Sequence, residues 1–157
     1  MARKAALPAT RWLTSEEMEA WRAFLRAHAR VTHVLDAELT AECDLPLGSY
    51  EVLLHLQNAP NHQLRMSELA ERVLLSRSGL TRLVDKMVAE GLVSREVCET
   101  DLCVTYATLT DSGYDRLKKA APTHLRGVRE HMVDLLTPQE LKVLAKALGR
   151  VAGSEGD

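Results

Sequence analysis

The segment spanning residues 66–92, MSELAERVLLSRSGLTRLVDKMVAEGL, restricts what this chain can fold into more than any other stretch. Its apolar residues recur with a helical period on both sides of a short polar interruption, so it reads as helix, tight turn, helix. In the second helix Leu80, Leu83, Val84, Met87 and Val88 fall at i, i+3, i+4, i+7 and i+8 and make one core-facing stripe. The opposite stripe carries Arg77, Ser78, Thr81, Arg82, Asp85 and Lys86. An ordinary solvated helix also turns polar residues outward, but it more often fills that face with Glu and Lys. Short hydroxyls and guanidiniums at the front of a docked helix are the groups that reading a DNA major groove requires. Ser67 is expected to cap the first helix of the pair and Ser76 the second. Gly91 stands where a left-handed residue stops the second helix.

The elements on either side follow from caps and periodicity. Thr14-Ser-Glu-Glu17 is a capping box, in which hydroxyl and carboxylate meet orphan amides at a helix start. The helix it opens runs to about residue 42, with Met18, Trp21, Leu25, His28, Leu35 and Leu39 along one spiralling stripe. Pro46 and Gly48 interrupt the pattern, and a short helix follows from about Ser49 to Gln57. From Leu92 to Leu109 the pattern changes. LVSREVC and CVTYATL are rich in β-branched residues and flank Glu99-Thr100-Asp101-Leu102, which predicts a hairpin with a short loop. Helical patterning resumes after Thr110-Asp111 and continues to about Leu136, with Pro122 as a kink or break. Thr137-Pro-Gln-Glu140 is a second capping box, followed by an apolar seam of Leu141, Leu144, Ala145, Leu148 and Val151 and a polar tail from Gly153 to Asp157.

The predicted order is four helices, a hairpin and two helices: mainly α, with a small β-hairpin wing. The centre, 45–109, reads as a compact helix-helix-hairpin lobe, and 12–43 and 111–152 are terminal helices. A lone monomer would struggle to cover both terminal seams, so these helices are expected to pair with a second copy of the chain. The alternative is that they fold back over the centre.

Bulk properties narrow the functional classes. The 157 residues make one domain, 1–157, with a real core. No apolar run approaches the roughly 18 residues of a membrane span. The opening MARKAALPATRW is basic but has no apolar signal core, so a cytoplasmic protein is expected. Three cysteines make neither a secreted disulfide framework nor a CxxC pair. The net charge of −2 conceals a local surplus. Between residues 65 and 95, Arg65, Arg72, Arg77, Arg82, Lys86 and Arg95 face Glu68, Glu71, Asp85 and Glu90, six cations to four acids, a net +2. That surplus serves phosphate contact only if the cations share a surface.

An enzyme is not expected. There is no GxSxG, no phosphate-cradling glycine loop and no paired-carboxylate constellation, and Ser76 and Ser78 neighbour arginines rather than a base. Metal and cofactor are expected to be absent as well. His28 and His33 are five apart, His124 and His131 seven apart, and no HExxH or clustered Cys/His spacing occurs.

SELAERVLLSRSGLTRLVDKMVAEGLVSRE, a hairpin, then LTDSG resembles the MarR family of bacterial winged-helix transcription regulators, from about Trp12 to Val151. The opening RWLTSEEMEAWRAFLRAH further resembles an actinobacterial-type branch. The resemblance implies a cytoplasmic, nucleoid-associated homodimer built from the terminal helices. Its two winged helix-turn-helix lobes would lie on successive major grooves of a pseudo-palindromic double-stranded operator. It also implies repression tuned by a small phenolic or lipophilic effector bound between the dimer helices and the lobe. Ser76, Arg77, Ser78, Thr81 and Arg82 match the family's recognition-helix positions. Ser67 matches the head of the preceding helix, where a hydroxyl often touches phosphate. Lys86, farther along, is a phosphate contact or a solvated charge. Trp21, His28, Tyr50 and His55 are candidates to line the effector crevice; such residues more often serve as packing.

The wing departs from the family pattern. Relatives usually carry Asp-Arg-Arg or Asp-Gly-Arg at its tip, with the last arginine in the minor groove. Here the run is Asp101-Leu102-Cys103, so the aspartate remains and the arginine is gone. Neither Leu nor Cys supplies the cation that a narrow, negative groove attracts. Arg95, near the wing base, is expected to compensate partly by contacting phosphate, and binding weaker or differently specified than in typical relatives follows. If the loop has four residues, Cys98 and Cys103 face each other at a cross-strand Cα distance of about 4.5–5.5 Å, which a disulfide can bridge. Oxidation would then be linked to DNA release. The other reading is two small thiols that stay reduced in a cytoplasm.

Overall fold

Both predicted capping boxes form. Thr14 Oγ1 accepts the Glu17 N–H at 3.2 Å while Glu17 accepts the Thr14 N–H at 2.8 Å, opening α1 (Ser15–Cys43). Thr137 and Glu140 do the same for α6 (Pro138–Ala152). The computed structural model describes residues 10–73 and 75–153; the basic opening before residue 10, residue 74 and the tail after residue 153 lie outside the described residues. Between the end helices run α2 (Leu47–Gln57), β1 (Gln63–Arg65), α3 (Met66–Arg72), α4 (Arg77–Ala89), β2 (Val93–Val97), β3 (Thr105–Leu109) and α5 (Asp111–His131).

Several boundaries differ from the sequence reading, each for a local reason. α2 begins at Leu47 rather than Ser49 because Asp36 of α1 accepts the Leu47 N–H at 2.9 Å, giving that helix start a partner from another element. β1 was not expected. Three residues are too few to show alternation, and their strand character comes from pairing with β3, Leu64 opposite Ala107. Its extended backbone reaches Arg65, which makes Arg65 the N-cap of α3; Ser67 is not the cap but the second helical residue. Glu68 reaches back to accept the Arg65 N–H at 3.1 Å. α5 ends at His131 rather than near Leu136, and Val133–Leu135 form a separate 3-10 turn. The apolar spacing of Met132-Val-Asp-Leu-Leu continues across that break, so periodicity could not mark it. Pro122 lies inside α5 without ending it.

The sheet is antiparallel in the order β1-β3-β2. Val97 is opposite Thr105, which sets Cys98 against Val104, and the Cys98 N–H donates to the Val104 carbonyl at 2.8 Å. The loop therefore runs Glu99–Cys103, one residue longer than expected. Cys103 belongs to the turn, so the two cysteines do not face each other, and both are free thiols.

One continuous core joins the lobe to the terminal helices. Leu53, Leu56, Leu69, Leu80, Val84, Met87, Leu92 and Ala107 are buried in the lobe, with Leu35 and Leu39 of α1 and Leu117 and Ala120 of α5 beside them. Of the α4 stripe, Leu80, Val84 and Met87 are buried, Leu83 is half-buried and Val88 is exposed. α1 packs along α5 at close range. A methyl group at Gly127 would stand 2.6 Å from Leu35 Cδ2 and 2.7 Å from a Glu38 carboxylate oxygen, so a larger residue there would require those side chains to move. Polar ties flank the contact: Arg126 to Glu42 at 2.6 Å, the Thr123 hydroxyl to Glu42 at 3.1 Å, and His131 with Glu38 at 2.7 Å.

Outside this core the terminal helices lack cover. α6 has no buried residue, and Trp12, Trp21, Phe24, Leu25, Leu125, Leu135, Val143 and Val151 are exposed. Among the described residues no helix is long and apolar enough to cross a membrane.

Candidate nucleic-acid interface

The tight start of α4 is held by Ser76, whose Oγ accepts the Gly79 N–H at 3.1 Å and lies 3.3 Å from Ser78 Oγ. That cap occupies a lone pair and leaves the first turn of α4 pointing outward. Arg77, Ser78, Thr81 and Arg82 are exposed along it. The Thr81 hydroxyl donates to the Arg77 carbonyl at 2.8 Å, so its oxygen offers acceptor capacity to a ligand rather than its proton. Lys86 pairs loosely with Glu90 one turn on, at 3.9 Å. Among the described residues Arg77 and Arg82 carry no ion pair.

Three of the six cations of the local charge surplus, Arg65, Arg77 and Arg95, line one cleft. The cleft, of about 400 Å³, separates α4 from the wing, and Arg65, Ser67, Arg77, Thr81, Arg95 and Cys103 line it. Thr105 also lines it, and Arg65, which the sequence offered only as one of the local cations, joins the site here. Arg65 reaches this face only because β1 pairs with β3; its Nε donates to the Tyr106 hydroxyl at 3.4 Å and its guanidinium lies 6.0 Å from the ring centroid. No local pattern signals that contact.

The wing differs in character from the helix. No Lys or Arg occurs from Glu96 to Thr110. Asp101 shapes the turn: its carboxylate accepts the Cys103 N–H at 3.1 Å and its carbonyl the Val104 N–H at 3.0 Å. Leu102 at the tip is 80% exposed. Arg95 points to α4 and bonds Asp85 at 2.6 Å and the Thr81 carbonyl at 3.5 Å. The Thr100 hydroxyl, then the backbone amides of Thr100 and Asp101, hold the Cys98 thiol below its ordinary value.

The four crevice candidates occupy different surroundings. Trp21 and His28 lie on α1 in a tilted ring ladder through Phe24, with centroid spacings of 6.1 and 6.4 Å. Tyr50 is buried and stacks on His124 at 4.4 Å. Burial raises the Tyr50 phenol and lowers the His124 imidazole, and His124 Nδ1 has no hydrogen-bond partner. His55 is lowered by burial and by the charge of Arg72.

A capped helix pair, a three-stranded sheet ending in a hairpin, and a hydroxyl-and-arginine face on the second helix define a winged helix-turn-helix protein. The MarR family model matches residues 44–102. AbsC, a MarR family transcriptional regulator from Streptomyces coelicolor, is 39% identical; the match covers 92% of this chain and 97% of that one with a TM-score of 0.83. Sco3205, a MarR family regulator from the same organism solved in complex with DNA, is 36% identical over 94% of this chain and 93% of that one, TM-score 0.85. The HTH-type transcriptional regulator MhqR of Bacillus subtilis is 29% identical over 101 residues, 64% of this chain and 66% of its own length. The chain belongs to the MarR family of transcriptional regulators.

Proposed function

We propose that this regulator binds a pseudo-palindromic double-stranded operator as a homodimer, through the exposed face of α4. One observation carries the reading: Arg77 and Thr81 of α4 line one open cleft with Arg65 and Ser67, and Ser78 and Arg82 are exposed on the same helix. The hydroxyls and guanidiniums suit base edges, and Arg65 and Ser67 suit the flanking phosphates. Pairing of two copies rests on the exposed apolar residues of α1 and α6, which a single chain leaves in water. Repression tuned by a phenolic or lipophilic effector belongs to the same reading. The exposed ring ladder of Trp21, Phe24 and His28 on α1 offers such a compound an aromatic surface. Action takes place at the nucleoid, in the cytoplasm.

The test is a gel shift on the DNA upstream of the gene encoding the chain, with light scattering for mass. The native protein shifts the fragment and has twice the 17.4 kDa chain mass. Arg77→Ala and Arg82→Ala each weaken binding by about 1–3 kcal/mol where the lost contact is bidentate to guanine. Unchanged affinity in both variants removes α4 from the interface. The cation-free wing favours one second reading, a dimeric interaction protein with weak operator affinity; a native protein that shifts no fragment at modest salt would support it.

A further inference from the structure

Arg95 is the only cation in the wing from β2 through β3, and its position relative to α4 does not suit a phosphate contact. Its Nη1 lies 2.6 Å from Asp85 on α4, its Nη2 3.5 Å from the Thr81 carbonyl one helical turn earlier, and its Nε is buried without a partner. A phosphate-binding arginine presents its donors outward. This one directs two of them into the recognition helix, and its charge is met by a carboxylate. Thr81 and Asp85 are four residues apart, on one ridge of α4, so a single guanidinium spans a full helical turn.

We propose that Arg95 is a positioning residue that fastens the wing to α4 and sets the width of the cleft between them, without neutralising a DNA phosphate. This rests on the operator-binding reading above. The planar guanidinium fits the role because it presents several donors in a fixed fork, which a lysine ammonium does not. Charge balance follows: the tip carries Glu99 and Asp101 with no cation, so the wing adds nothing to counterion release. The salt dependence of binding then comes from α4 and from Arg65.

Two variants separate positioning from phosphate contact: Arg95→Met, which keeps much of the apolar stem, and Asp85→Asn, which leaves Arg95 in place with its charge unmatched. Affinity for the upstream fragment is measured by fluorescence anisotropy at several salt concentrations. Positioning predicts that both variants bind about three- to tenfold more weakly with an unchanged slope of log K against log salt, and that the double variant is no weaker than the worse single. Arg95→Lys recovers only part of the loss. A phosphate contact predicts a slope shallower by about 0.9 in Arg95→Met, and tighter binding by Asp85→Asn as the freed cation reaches DNA. Either result overturns the proposal. Hydrogen exchange decides independently of DNA, and so separates this idea from the operator reading if the native protein shifts nothing. Faster exchange at Val93–Val97 in both variants, with the global melting temperature held, supports fastening. Native-like exchange there refutes it.

Discussion

Replacing Cys103 with arginine tests how close the wing comes to DNA. Cys103 is exposed, lines the cleft opposite Arg77, and has its backbone held by the Asp101 carboxylate. An arginine there would stand at the mouth of the cleft on a defined turn, in a loop that otherwise carries only Glu99 and Asp101. One added phosphate contact steepens the slope of log K against log salt by about 0.9, so over a fourfold rise in salt the advantage of the variant shrinks about 3.5-fold. The gain is therefore largest near 50 mM salt and fades toward 200 mM. Anisotropy titrations of native protein and Cys103→Arg on one duplex at four salt concentrations measure both quantities. Parallel lines with equal affinity would show that the turn never approaches the backbone, and the reasoning about this wing would be wrong. Parallel lines with tighter binding would place the new arginine on a base or sugar instead.

Ser76→Ala removes the acceptor for the Gly79 N–H, costing about 1 kcal/mol and about 2–4 °C in melting temperature; an unchanged melt would mean that the cap is not used. Gly113→Ala would set a methyl carbon 2.1 Å from the Leu92 carbonyl oxygen, a backbone atom that no rotamer can move. That overlap destabilises by about 3 kcal/mol or more, a drop of at least about 6 °C, and a loss below about 2 °C contradicts the packing described. His124 titrates below its ordinary value of 6.5 because burial disfavours the charged ring. The unfolded chain then binds the proton first, so the stability this group contributes is present above 6.5 and lost as pH falls below it. Melting curves between about pH 5 and 7.5 should flatten in His124→Gln; identical slopes would assign the acid sensitivity elsewhere.

Local signals carried much of the architecture. The two capping boxes, the Ser76 cap and the left-handed Gly91 are short-range hydrogen-bonding and backbone requirements, and each lies where the residues indicate. The outward face of α4 was equally legible, because a helix with one buried stripe must expose the other. Contacts between distant segments were not legible. β1 exists through β3, and its arrival at Arg65 moved the cap of α3 away from Ser67 and brought a guanidinium into the cleft. The hairpin register depended on which residues the loop released, and a single step separated Cys98 from Cys103.

The identity of the chain as a helix-turn-helix protein was set by the order of its residues alone. Helical period, caps and turn residues act within four or five positions and need no partner to be read. The roles of individual cations were decided by tertiary structure. Arg77 and Arg95 are both arginines on the same lobe, yet one faces solvent and the other bonds a carboxylate on a neighbouring element. A charge acquires its function from what lies within a few ångströms, and only the folded backbone determines that distance.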